Sequence, residues 1–223
     1  MAAALCPACG QALKKQPQRK TKCPSCGGYI YVKSSPVNRE KRLVTEAEAK
    51  EIEIQWAAYQ ERQERLQMLQ PYGVTEQEYD KVKVVLSHNF DNQSLDWQTA
   101  YFFCNELLSK ETQLHHRKML CLGLVRLLDE KSLDFGPVLR KAFETELQDY
   151  KTKEEIIKGV EIVNCGIPGP CEACQKNSGK AYPLDVAIQS MPLPCKGCTC
   201  KGIGGLVGYC QCYYRTILVG EDQ

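Results

Sequence analysis

The chain has 223 residues, 14 cysteines and a formal net charge of +2, enough length for one large domain or two small ones. No apolar run approaches the roughly 18 residues of a membrane span, and no basic region with an apolar stretch precedes the first cysteine in "MAAALCPACG". The expectation is therefore a soluble chain in a reducing, cytoplasmic compartment, with thiols free to bind metal, rather than a secreted disulfide framework. The charge is uneven. Residues 1–42 hold nine Lys and Arg against one acid, Glu40, a net of +8, and the remainder carries −6.

The N-terminal segment opens with Cys6-Pro7-Ala8-Cys9-Gly10 and repeats the pattern at Cys23-Pro24-Ser25-Cys26-Gly27. Each C-P-x-C-G unit predicts a tight turn with two thiolates facing one point, finished by a glycine that accepts positive φ. Four soft ligands with no open position suit a structural Zn²⁺; an iron centre of rubredoxin type uses the same ligands. Few large apolar side chains accompany them, Leu5, Leu13, Tyr29, Ile30 and Tyr31 among them, so burial alone does not hold the segment. "GYIYV" has the β-propensity of a strand.

On these knuckles, residues 5–33 resemble the zinc ribbons of transcription factors and RNA polymerase subunits. The resemblance implies a small β ribbon around one metal, and ribbons bind DNA, RNA or protein. "KKQPQRKTK" between the knuckles is free of acids. Lys14, Lys15, Arg19, Lys20 and Lys22 are its candidate phosphate contacts, the competing reading being a solvated loop.

"SSPVNREKRL" reads as a linker. Beyond it, Thr45-x-x-Glu48, Thr75-x-x-Glu78 and Thr152-x-x-Glu155 read as capping boxes that start helices. Ile52, Trp56, Tyr59, Leu66 and Leu69 recur at helical spacing until Pro71 and Gly73 stop the run. Apolar patterns of helix length follow at 94–110, 113–130 and 136–151, the last with Pro137 at a first helical position. Residues 44–164 thus predict about six helices around one small core. The first two patterns would pair as a tetratricopeptide-like hairpin, but no second copy recurs at a fixed period. Cys104 and Cys121 fall within apolar patterns as small core residues.

From Cys165 onward Gly and Pro replace the helical pattern. Cys171, Cys174, Cys195, Cys198, Cys200, Cys210 and Cys212, with Cys165, supply thiols for one zinc site or two. The knuckle Cys171 and Cys174 with Cys198 from the distant arm closes a loop; Cys210 is the expected fourth ligand, ahead of Cys195, Cys200 and Cys212. Gly202, Gly204, Gly205 and Gly208 would let the connection double back. "CEAC…PLPCKGCTC", residues 171–200, resembles the cysteine-rich end of phage head morphogenesis (minor head) proteins, with Cys195 at their histidine position. The "YCQCYY" that follows departs from that pattern. The resemblance implies a phage or prophage origin and a bacterial host.

Catalytic signatures are incomplete. Pro170-Cys171-Glu172-Ala173-Cys174 is half of the zinc deaminase motif, whose H-x-E half is missing. His115 and His116 lack H-E-x-x-H spacing and read as surface residues. The expected fold is mainly α: a zinc ribbon and linker (1–42), an α-helical domain (43–164) and a cysteine-rich zinc module (165–223). The expected function is a non-enzymatic adaptor with one N-terminal zinc and one or two C-terminal zincs, contacting DNA or RNA through the ribbon and protein through the rest. The alternative is a phage structural or assembly factor whose zinc modules bind only protein. No membrane partner is expected.

Overall fold

The structure, a computed structural model, describes residues 4–89, 94–164 and 169–220. They pack as two compact units, Met1–Gln70 and Pro71–Gln223. Helix α1 therefore groups with the ribbon, and the C-terminal cysteine segment groups with the helices that precede it.

In the first unit a short strand, β1 (Thr21–Lys22), pairs antiparallel with β2 (Tyr29–Ser34), and β2 pairs antiparallel with β3 (Lys41–Val44). The supposed linker is thus the second arm of a hairpin. Its turn closes where Arg39, at φ 57°, donates its N–H to the Ser35 carbonyl at 3.0 Å. Leu43 and Val44 are the reason: they oppose Val32 and Tyr31 across the ladder and pack on opposite faces of it, Leu43 against Ile30 and the cysteines and Val44 against Ala49 and Ile52. Helix α1 (Glu46–Leu69) starts at the capping box foreseen at Thr45 and Glu48 and gives way at its C-terminus to a single 3-10 turn containing Pro71. Its first turns lie on β2, where Ile52, Ala49 and Val44 are buried together against Tyr31 and Trp56. Trp56 donates its indole N–H to the Ser34 carbonyl at 2.6 Å, and Lys33 pairs with Glu53 at 2.6 Å.

The second unit begins with α2 (Glu76–Leu86), capped by Thr75 and Glu78 as foreseen. Helices α3 (Leu95–Lys110), α4 (Leu114–Glu130) and α5 (Gly136–Lys151) fill the three apolar patterns, with Pro137 in the first turn of α5. Their core holds Leu120, Leu124, Leu127, Leu139, Phe143 and Leu147, with Cys104 and Cys121 buried among the helices. Trp97 donates its indole N–H to the Leu127 carbonyl at 2.7 Å.

The expectation of a mainly α chain fails after α5. Thr152 does not start a helix. It ends α5, and its hydroxyl donates to the Asp149 carbonyl at 2.7 Å. The β-branched run that follows forms β4 (Ile157–Val163), where such side chains pack on a pleated surface better than on a helix. β4 is the centre of a second antiparallel sheet, between β5 (Ala181–Pro183) and β6 (Tyr213–Leu218). With 48% of the described residues in helix and 15% in strand, and two three-stranded sheets, the chain is mixed α and β. Two short helices, α6 (Glu172–Asn177) and α7 (Leu184–Ser190), complete the unit. The cysteine-rich segment also has apolar anchors: Leu184, Ala187 and Tyr214 are buried, as are Val160 and Ile162 of the β4 strand it joins, and the Tyr214 ring meets Phe143 edge-on at 5.8 Å. Cys165 lies outside the described residues.

Candidate metal centres

The two N-terminal knuckles are built alike. In each, the first cysteine donates its N–H five residues forward, Cys6 to Gln11 and Cys23 to Gly28, at 2.9 and 2.8 Å. The glycine four residues on donates back to the cysteine carbonyl at 2.9 Å, from Gly10 and from Gly27, both at φ 72°. That φ is what the repeated glycine permits at low cost. The two turns face each other, so that Cys6 stands 4.0 Å from Cys26 and Cys9 3.8 Å from Cys23. All four sulfurs lie within 4.8 Å of one another and can hold a metal ion. Ile30, with Leu13 and Leu43, packs against the buried Cys6 and Cys23, so two of the four candidate ligands are also part of this small core.

The C-terminal cysteines come from three places. Cys171 is the N-cap of α6 and Cys174 sits in its first turn, three residues apart and hence on one side of the helix. Cys195, Cys198 and Cys200 follow α7, and Cys210 and Cys212 precede β6. The two later arms are tied together where the Leu193 N–H donates to the Tyr214 hydroxyl at 3.1 Å. Leu193 lies just before Cys195 and Tyr214 just after Cys212, and the two sulfurs stand 3.8 Å apart. The connecting loop is pinned by Gly208 and Tyr209, which donate to the Cys200 carbonyl at 2.9 and 3.1 Å.

Two sets of four result: Cys171, Cys174, Cys198 and Cys200, and Cys174, Cys195, Cys210 and Cys212. Within each, the sulfurs lie within 4.8 Å of one another. Cys171, Cys174 and Cys198 are together, with Cys200 in the fourth place; Cys210 falls in the other set. The spacing of the sequence does not distinguish these assignments, because they depend on which arm of a long loop reaches Cys174. None of the described cysteines is in a disulfide.

One thiol in each set is biased toward the thiolate that a metal needs. Cys23 is drawn down to about 6 by the backbone N–H groups of Cys26 and Ser25. Burial opposes ionisation of Cys171, yet the N–H groups of Thr199 and Cys174 draw it down to about 5. Cys210 is likewise drawn to about 5, first by its hydrogen bond with the Cys195 thiol and then by backbone N–H groups. Burial pushes Cys174 up, and the contact with Cys210 pushes Cys195 up.

The basic residues divide into two groups. Lys14, Lys15 and Arg19 are exposed on the loop between the knuckles. Lys22 stands opposite Tyr29 in the β1–β2 register, and Ile30 opposite Thr21. Because side chains alternate across a strand, Ile30 faces the metal-side core while Tyr29 and Tyr31 face the other way. There the Lys20 ammonium lies 4.4 Å from the Tyr29 ring and 4.6 Å from the Tyr31 ring, and Lys22 lies 5.3 Å from Tyr29. The Lys20 pKa is raised, chiefly by its hydrogen bond with Tyr31, so the charge is retained. These cation–π contacts escaped a reading that placed all five residues on one free loop.

His115 is exposed, and His116 contacts Glu111 at 3.3 Å. Among the described residues no helix is long and apolar enough to cross a membrane. No protein-family model, curated protein or solved structure matches this chain.

Proposed function

We propose that the chain is a non-enzymatic, zinc-stabilised adaptor whose N-terminal unit binds nucleic acid. The observation that carries the reading is the end of the β2 face that α1 leaves open. Tyr29 is 46% exposed there, with Lys20 and Lys22 over its ring and Lys14, Lys15 and Arg19 exposed on the adjoining loop. An aromatic face with cations around it suits stacked bases and phosphates together. Zinc is the metal that four tetrahedral thiolates without an open position favour. At a formal charge of about −2 for zinc with four thiolates, the excess on residues 1–42 remains near +6. The protein-binding half of the reading is supported by exposed apolar side chains on α2 and α3, namely Val84, Val85 and Phe102.

Fluorescence anisotropy with duplex DNA and single-stranded RNA, titrated between about 50 and 200 mM salt, tests the nucleic-acid half. With about four phosphate contacts, log affinity on duplex DNA falls with log salt at a slope near −3.6. Replacing Lys14, Lys15 and Lys20 together by Gln lowers affinity for all sequences alike and flattens the slope by up to about 2.7 units. A wild-type protein that shows no salt-dependent binding to either probe at about 50 mM salt refutes the reading.

A further inference from the structure

We propose that the C-terminal cysteines form one binuclear zinc cluster in which Cys174 is a bridging thiolate, so that the chain binds three metal ions in all. The identity of the metal rests on the zinc reading above; the number of ions and the bridge rest on geometry. Two separate tetrahedral sites need eight ligand corners. The described part of this segment offers seven cysteines, and every one belongs to a set of four. The two sets overlap in one residue, Cys174.

Metal–sulfur bonds of about 2.3 Å in a tetrahedron place the sulfurs roughly 3.8 Å apart. In the first set Cys171 and Cys174 stand 3.8 and 3.6 Å from Cys198. In the second, Cys174 stands 3.9 Å from Cys210, and Cys195 3.8 Å from Cys212. Cys174 is thus one tetrahedral edge from a member of each set, as a shared corner must be. The loop from Cys195 to Cys200 straddles the two ions, giving Cys195 to one and Cys198 and Cys200 to the other.

A single ion in the first set would leave Cys195, Cys210 and Cys212 as three thiols packed together, each at most 4% exposed. The backbone argues against that. The Cys195 N–H is directed at the Cys210 sulfur at 3.3 Å, and the Thr199 N–H at the Cys171 sulfur at 3.4 Å. A neutral thiol is a weak acceptor for a backbone donor that must be satisfied; a metal-bound thiolate is a good one, and such donors are a usual support of metal thiolates. Each set has its own donor, and each donor addresses a non-bridging sulfur. Sharing Cys174 also leaves the cluster at a formal charge of about −3, one less than two separate four-thiolate sites. Lys196 and Lys201, exposed on the ligand-bearing loop, lie beside that charge in the sequence.

Native mass spectrometry of the full chain loaded with zinc is expected to show three ions. In competition with a chelator, Cys200→Ser and Cys212→Ser are each expected to lose one ion, and Cys174→Ser to lose two. Because Cys174→Ser can also disturb folding, the wild-type chain reconstituted with ¹¹³Cd supplies an independent measurement. A bridging sulfur is expected to give two cadmium resonances coupled to each other, beside a third that is uncoupled. Two ions per chain with three reactive thiols, or three ions with no cadmium–cadmium coupling, overturns the cluster. A coupled pair without the third resonance supports the cluster while refuting the metal-bound ribbon. Iron in the chain as purified refutes the zinc identity alone, since the cadmium spectrum still reports the bridge.

Discussion

Asp129, near the C-terminus of α4, and Gly204, in the loop between Cys200 and Cys210, show what a single residue contributes to this fold. The Gly204 N–H donates to the Asp129 carboxylate at 3.2 Å, and the Ser132 hydroxyl donates to the Gly204 carbonyl at 2.9 Å. A Cβ at Gly204 would lie 1.6 Å from the Asp129 carbonyl oxygen, and one at Gly202 would lie 2.2 Å from its carboxylate. These two glycines are therefore needed for close approach of the loop to α4, where the sequence suggested only freedom to double back. Gly204→Ala is expected to lower unfolding stability by about 1–3 kcal/mol, as overpacking does. Lys201→Ala, at an exposed position in the same loop, should stay within about 0.5 kcal/mol. Urea denaturation of the two variants decides; equal effects would mean that the contact with Asp129 does not hold the loop.

Among the elements, the helix ends were the most legible, because capping is settled within four residues of chain. Thr75 and Glu78 exchange hydrogen bonds at 2.9 and 3.2 Å, as the motif requires. Thr152-x-x-Glu155 has the same letters and a different fate, since α5 already occupies Thr152 as its C-cap and the following β-branched residues have a sheet to join. Thr75→Ala is expected to cost about 1 kcal/mol, and Thr152→Ala distinctly less. Thermal melts of both variants check this. The Glu78 carboxyl is held below its ordinary range by the Thr75 N–H and hydroxyl. Its contribution is therefore full above the usual glutamate pKa and is lost as pH falls through the lowered value. Glu78→Gln should be less stable than wild type near pH 7, and the gap should narrow toward about pH 3. A gap that stays constant over that range would show that the ionised carboxylate is not what stabilises the helix start.

For the molecule as a whole, metal removal should act unequally on the two units. In the first, Cys6 and Cys23 are themselves core residues beside Ile30, and structural zinc contributes roughly 10–16 kcal/mol of apparent binding free energy in small fingers. In the second, Leu120, Leu127, Leu139 and Leu147 are buried among α4 and α5, away in sequence from every clustered cysteine. Chelation, or Cys23→Ser for the first unit alone, is expected to unfold residues 5–33 while most of the far-UV helical signal of α2–α5 persists. Loss of most of that signal on chelation would show that the helices too depend on metal.

The sequence by itself determined the features that close over short stretches. The two C-P-x-C-G turns, the strand at Tyr29, the bounds of α3, α4 and α5 and the candidate ligands all follow from spacing within a few residues. Tertiary structure decided whatever needed a distant partner. β4 became a strand because Glu161 and Ile162 have Arg215 and Tyr214 to pair with. Lys20 and Lys22 settled on tyrosines because β1 meets β2 in one register. The seven described C-terminal cysteines, interchangeable as letters, became two overlapping sets because α6, the loop after α7 and the segment entering β6 converge on Cys174. Local propensity and capping are energies between near neighbours, whereas pairing and ligand sharing depend on which remote segment the completed fold places opposite.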